Sequence, residues 1–170
     1  MEIPDAKTYL GSHFTQIAWV VKDIEASLRF FKDTMGISNF SKPDIIRVRD
    51  FKATYYGKPS NAESLVAMAY TGGIFIELIQ PLSGNSVFQD YINENPAGGI
   101  QHVAYSVPVA DLDKVIAEFE KKGYEIVSDF DTPIAKIVFF DTRKEIGVFT
   151  EVMGITEVGI EAVEKMKWMG

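Results

Sequence analysis

The stretch HVAYSVPVADLDK, residues 102–114, repeats the cadence of QIAWVVKDIEA, residues 16–26. Each opens on one polar residue in an apolar run, places alanine two positions later, and passes through a turn into an acidic residue that begins an amphipathic segment. Strand composition followed by helical spacing is thus written twice. The flanks repeat as well. After the first copy come strand-like runs DIIRVRDFKATYY, SLVAMAY and IFIELIQ; after the second come YEIVSDFD, IAKIVFFDT and GVFTEVMG. The predicted order is βαβββ, link, βαβββ, an internal duplication that fixes the fold class as α+β.

Local signals set the boundaries. FTQIAWVV, residues 14–21, reads as a strand, and Asp23 caps a helix whose Ile24, Leu28 and Phe31 share one stripe before Gly36 ends it. GKPSNAE reads as a turn between strands. Ser86 caps a short helix in LSGNSVFQDYINENPAGG, and Asp111 is expected to cap the helix that carries Val115, Ile116 and Phe119 inward. TEVGIEAVEKMKWMG closes the chain as a helix with Ile160, Val163 and Met166 on one stripe. The expected divisions are a lead-in at 1–13, a first module at 14–82, a short helix and linker at 83–99, a second module at 100–154 and a C-terminal helix at 155–170.

Composition narrows the function classes. The 170 residues, 46% hydrophobic and 24% charged, suit a globular chain able to bury a core without cross-links. No cysteine is present, which removes disulfides and thiolate metal sites and points to an intracellular, cytoplasmic location. The N-terminus lacks the basic start and apolar centre of a secretory leader, and no apolar run is long enough to span a bilayer. Net charge is −7 with 17 scattered Lys and Arg, so nucleic acid is not an expected partner. Glycine-rich phosphate loops, dinucleotide fingerprints and nucleophile elbows are missing, and cysteine nucleophiles are impossible.

Chemistry concentrates at matched points of the duplication. GGIFIELIQP, residues 72–81, is a strand with one carboxylate, Glu77, on otherwise apolar faces. An ionised carboxylate in such a place needs a partner. Glu151 repeats the problem in GVFTEV, where Phe149, Glu151 and Met153 share a face. Gln16 and His102 are the matching single polar residues of the two first strands. Should the halves pack about a pseudo-twofold axis, all four can meet, and one imidazole, one amide oxygen and two carboxylates suit a divalent cation. The plainer accounts are a core or rim histidine and glutamates bridged to Arg47, Arg49 or Lys136. His13 is a rival ligand, but it lies an odd number of residues before Gln16 and so faces the other way in a regular strand.

These motifs resemble the vicinal oxygen chelate superfamily, which includes glyoxalase I, methylmalonyl-CoA epimerase, extradiol dioxygenases and bleomycin-resistance proteins. The resemblance runs from about Phe14 to Gly154. IELIQPLSGNSVFQDYINENPAGGIQHVAYSV is similar to the epimerase's Glu-Leu-Leu-x-Pro-Leu run, short helix, Asn-Pro-x-Gly-Gly and His-bearing strand, and GVFTEV to its closing Gly-Val-x-x-Glu strand. Two departures stand out. Gln16 replaces the epimerase's usual histidine, and Gln101-His102 replaces a histidine pair. Gln-Glu-His-Glu instead resembles the ligand set of some glyoxalase I enzymes, although their glutathione-binding features are not recognisable.

The resemblance implies the glyoxalase/bleomycin-resistance fold, with paired βαβββ modules forming a cupped mixed sheet around a metal. It implies Gln16, Glu77, His102 and Glu151 as ligands of Zn, Ni, Co, Mn or Fe, and a small-molecule substrate held through adjacent oxygens. The expected activity is that of an isomerase, epimerase or lyase moving a proton next to a carbonyl, with Glu151 as the base and Glu77 as a ligand or opposing acid. A homodimer is also implied. The alternative is a sequestering protein of the bleomycin-resistance type, with a cleft lined by Trp19, Tyr55, Tyr56, Phe139 and Phe140.

Overall fold

A computed structural model describes residues 10–11 and 13–168. In the first half, strand β1 (Phe14–Val20) leads to helix α1 (Ile24–Asp33), then strands β2 (Asp44–Arg47), β3 (Thr54–Tyr55), β4 (Lys58–Pro59), β5 (Glu63–Thr71) and β6 (Ile74–Ser83). Helix α2 (Val87–Glu94) is the link. The second half holds β7 (Gly99–Pro108), α3 (Leu112–Lys121), β8 (Ile126–Asp131), β9 (Ala135–Phe140), a one-turn helix α4 (Arg143–Ile146) and β10 (Phe149–Ile155). Helix α5 (Glu157–Trp168) follows.

All ten strands form one mixed sheet in the order β2-β5-β6-β1-β7-β10-β9-β8-β3-β4. At its centre β1 and β7 run antiparallel, with Ile17 opposite Val103. Outside them β6 lies parallel to β1 and β10 parallel to β7, the arrangement a pseudo-twofold axis requires. The sheet curls so that each surface is packed differently. On the outer surface α1 covers Ala67 and Leu78 through Leu28 and Phe31, while α3 covers Val107, Val138 and Val152 through Val115, Ile116 and Phe119. On the inner surface α2 caps one end, packing Phe88, Tyr91 and Ile92 on Ala18, Val20 and Ile79. Burying a side chain of the size of Leu78 or Ile79 contributes about 1.5–3 kcal/mol, which is what holds these helices to the sheet.

The caps follow the local chemistry. Asp23 and Ser86 are extended and accept the backbone N–H of Ala26 and Gln89 respectively. Asp111 does not cap α3 with its side chain. A 3-10 turn over Val109–Asp111 precedes the helix, and Asp111 has φ −96° and ψ −9°, too helical for its carboxylate to turn back onto the chain.

DIIRVRDFKATYY is not one strand. It breaks after Arg47 into a 3-10 turn over Val48–Phe51, and Lys52 then takes a left-handed conformation with φ 53°. GKPSNAE is not merely a turn, because its Lys58-Pro59 is the second arm of a hairpin. Tyr56 and Gly57, with φ 46° and 73°, form a two-residue turn with both centres left-handed, the type whose twist matches antiparallel strands. This β3-β4 hairpin leaves its own half of the sheet and pairs with β8, Thr54 against Asp129 and Tyr55 against Ser128.

The stripe of α5 is also shifted. Ile160 is 56% exposed, and Gly159 faces the sheet in its place. A Cβ on Gly159 would lie 2.0 Å from the carbonyl oxygen of Ile134, so this approach admits glycine alone. At the far end Lys167 lies over the ring of Tyr70 on β5, 5.9 Å from its centre. The helix therefore runs from the second half back to the first. Among the described residues, no helix is long and apolar enough to cross a membrane.

Candidate functional site

The two central strands bring matched residues together by register. Ala18 sits beside Glu77 of β6 on one side and His102 of β7 on the other. Ala104, its twofold equivalent, sits between Gln16 and Glu151. Both alanines are fully buried. A methyl group at each crossing leaves room for the four longer side chains to lean over it, and alternation puts all of them on the inner surface.

Their tips meet. The Gln16 Nε2 donates to Glu77 Oε2 at 2.9 Å and to Glu151 Oε2 at 3.3 Å. The His102 Nε2 lies 3.2 Å from Glu151 Oε2, 3.4 Å from Glu77 Oε2 and 3.4 Å from Gln16 Nε2. Glu77 is thus paired with an amide and an imidazole, not with a surface cation. Arg47 and Arg49 reach Glu63 instead, and Lys136 is exposed at the register of Gly154. His13 lies ahead of β1, its backbone bound to Leu10 and Ser106.

Burial governs the electrostatics. Gln16 and His102 are 2% and 0% exposed, and Glu151 is 4% exposed. Burial disfavours the imidazolium, but hydrogen bonds and charge from Glu151 and Glu77 outweigh it and carry His102 from 6.5 up to about 9. Burial pushes Glu151 above the usual carboxylate range, with His102 pulling it back. The walls are aromatic. Phe139 and His102 meet edge to face at 5.0 Å between ring centres, and Phe88 lies 6.0 Å from the same imidazole. Of the expected cleft residues, Trp19 packs beneath α1 and Phe140 stacks on Phe119 on the outer surface. Tyr55 packs beside Phe139, and Tyr56 lines a 360 Å³ cavity with Asp90, Arg143 and Phe149.

One residue of the centre lies beyond the reach of sequence alternation. Adjacent strand residues point to opposite faces, yet Gln101 Oε1 lies 2.6 Å from His102 Nδ1. The ladder shows the reason. Ala18 pairs with His102 and Trp19 with Ile100, so Gln101 is an extra residue in a β-bulge, which turns its side chain toward its neighbour. Among the described residues no group of three or more His, Cys, Asp and Glu is pre-arranged as a metal cage. The donors are closed on one another in hydrogen bonds, and the fourth member is an amide.

Residues 15–140 match the model of the Glyoxalase/Bleomycin resistance protein/Dioxygenase superfamily. The chain belongs to that family. This is the vicinal oxygen chelate superfamily its motifs resemble, and the curled ten-stranded sheet has the expected fold. Methylmalonyl-CoA epimerase from Mycobacterium tuberculosis aligns over 96% of this chain and 97% of its own, with TM-score 0.64 and 18% identity. The Streptomyces coelicolor methylmalonyl-CoA epimerase in complex with 2-nitronate-propionyl-CoA aligns over 85% and 96%, with TM-score 0.58 and 19% identity. A hypothetical protein from Bacillus halodurans aligns over 82% and 91%, with TM-score 0.58 and 20% identity. A search of curated protein sequences returns no match.

Proposed function

We propose that this chain is a divalent-metal-dependent epimerase or related isomerase or lyase, acting by proton transfer next to the carbonyl of a small molecule. The observation that carries the proposal is the convergence of Gln16, Glu77, His102 and Glu151, two from each half, on one buried centre. Two carboxylates are held side by side there, with protons of Gln16 and His102 facing them where a cation satisfies the same charge. The spacing fits as well. Neighbouring ligands of an ion with bonds of about 2.0–2.2 Å stand roughly 3 to 3.5 Å apart, and the side-chain tips here stand 2.9–3.4 Å apart.

Gln16 through its amide oxygen, His102 through an unprotonated Nε2, and Glu77 and Glu151 through their carboxylates would hold the ion. A divalent ion bound there supplies Lewis acidity to a carbonyl oxygen and so acidifies the neighbouring C–H. The residues of the chain do the rest. Glu151 takes the proton: it is the more buried carboxylate, and burial raises its basicity. Glu77, from the opposite half, is either a ligand only, with Glu151 giving its proton back, or, for an epimerisation, the opposing acid. In that role it starts protonated, delivers that proton to the other face of the carbon and ends as the carboxylate, while Glu151 keeps the proton it took. Phe88 and Phe139 keep water from the imidazole.

Methylmalonyl-CoA is the first substrate to test, because structural neighbours are named as its epimerases and one is described in complex with it. Metal analysis and deuterium exchange of the substrate α-proton form the test. Stoichiometric metal, exchange lost on chelation, and a Glu151→Gln variant that keeps metal while losing exchange are expected. A glutathione hemithioacetal turned over where the CoA thioester is not moves the assignment to the glyoxalase branch. Neither metal uptake nor exchange with either refutes the catalytic proposal in favour of sequestration.

A further inference from the structure

Gln101 has a position that packing does not explain. It is fully buried, a β-bulge turns it toward His102, and its Nε2 is the one buried side-chain polar atom among the described residues without a hydrogen-bond partner. A buried amide with unused donors is destabilising, and a leucine would fill the space without that penalty. What the amide provides is an acceptor 2.6 Å from His102 Nδ1.

We propose that Gln101 is a positioning residue, whose amide oxygen accepts a hydrogen bond from the Nδ1–H of His102 and so reserves Nε2 for the centre shared with Gln16, Glu77 and Glu151. This rests on the metal-site proposal above. An imidazole presents one lone pair, and the bond made by one nitrogen decides which nitrogen keeps it. An N–H to oxygen bond at Nδ1 also fixes the ring's rotation and makes Nε2 the stronger donor. At Nε2 the ring meets Glu151, Glu77 and Gln16. Its contacts with Phe88 and Phe139 do not distinguish one nitrogen from the other, so the Nδ1 side is fixed by Gln101. The bulge is therefore the device that supplies a second polar contact from the same strand.

The test compares wild type with Gln101→Leu and Gln101→Glu. Zinc affinity is measured by calorimetry, folding of the metal-free forms by thermal unfolding, and the protonated ring nitrogen by ¹⁵N NMR. The chain has two histidines, so a His13→Gln background isolates His102. Gln101→Leu should weaken zinc binding about 10- to 100-fold with little change in the metal-free unfolding midpoint. Gln101→Glu, which keeps the acceptor, should bind zinc at least as tightly as wild type. The zinc-loaded wild type should carry its His102 proton on Nδ1. Equal zinc affinity in wild type and Gln101→Leu overturns the role of Gln101 while leaving the metal site standing. A wild type that binds no zinc, nickel, cobalt, manganese or ferrous iron overturns the metal site itself. Should Gln101→Leu fail to fold, Gln101→Glu and the ¹⁵N spectrum decide: weaker zinc binding in the glutamate variant, or a proton on Nε2 in the loaded protein, refutes the assignment.

Discussion

In the metal-free protein, raising the pH should unlock the centre. Burial alone would lower the His102 pKa, but Glu151 at 3.2 Å and Glu77 at 3.4 Å hold its proton up to about 9, against 6.5 in the unfolded chain. A raised histidine contributes stability that is fully present below pH 6.5 and is lost as pH climbs through about 9. An imidazole carried over that interval holds about 3 kcal/mol, a large fraction of the 5–15 kcal/mol that keeps a typical domain folded. Urea unfolding with a chelator present, at pH 6 and pH 9.5, measures it. Wild type should lose about 3 kcal/mol more across the interval than His102→Gln, which has no proton to lose. Glu151→Gln should lose less than wild type, because a partner that raises the histidine is gone. If wild type and His102→Gln weaken in parallel, the imidazole is not the ionised partner of these carboxylates and the electrostatic account of the centre fails.

Other expectations follow from single contacts. Ala104→Leu places a branched chain between Gln16 and Glu151; zinc uptake should vanish and calorimetry should show a fold weakened by about 1–3 kcal/mol. Gly159→Val forces α5 off the carbonyl of Ile134, and proteolysis should cut the C-terminal helix sooner while the centre still binds zinc. Tyr55 donates to Asp90 at 2.6 Å and its phenol is pushed up to about 12, first by that bond. Ultraviolet titration should show one tyrosine ionising near pH 12 that Tyr55→Phe removes, and the stability it lends should persist below pH 10 and fade toward pH 12.

The sequence carried the pairing logic because duplication and strand alternation are both periodic. The cadence shared by residues 16–26 and 102–114 placed Gln16 against His102, and IFIELIQ against GVFTEV placed Glu77 against Glu151. Register then brought the four together. What breaks periodicity was not legible. The bulge at Gln101 reverses a side chain without any change of residue type, so alternation sends that amide to the wrong face. The hairpin at 54–59 hides in a run of strand-forming residues, because a left-handed Tyr56 is set by the turn and not by composition. Gly159 reads as a weak helix residue in sequence; only the approach of the Ile134 carbonyl gives it meaning.

The β3-β4 hairpin makes the duplication inseparable. Residues 54–59 precede α2 in the chain, yet they complete the edge of the sheet built by the second half. A fragment beginning at Gly99 would leave β8 with bare backbone donors and acceptors, a template for uncontrolled pairing. Severing the chain at its midpoint therefore does not yield two ancestral units. It yields one piece with an unanchored arm and one with an open seam, and mixing the two should restore what neither holds alone.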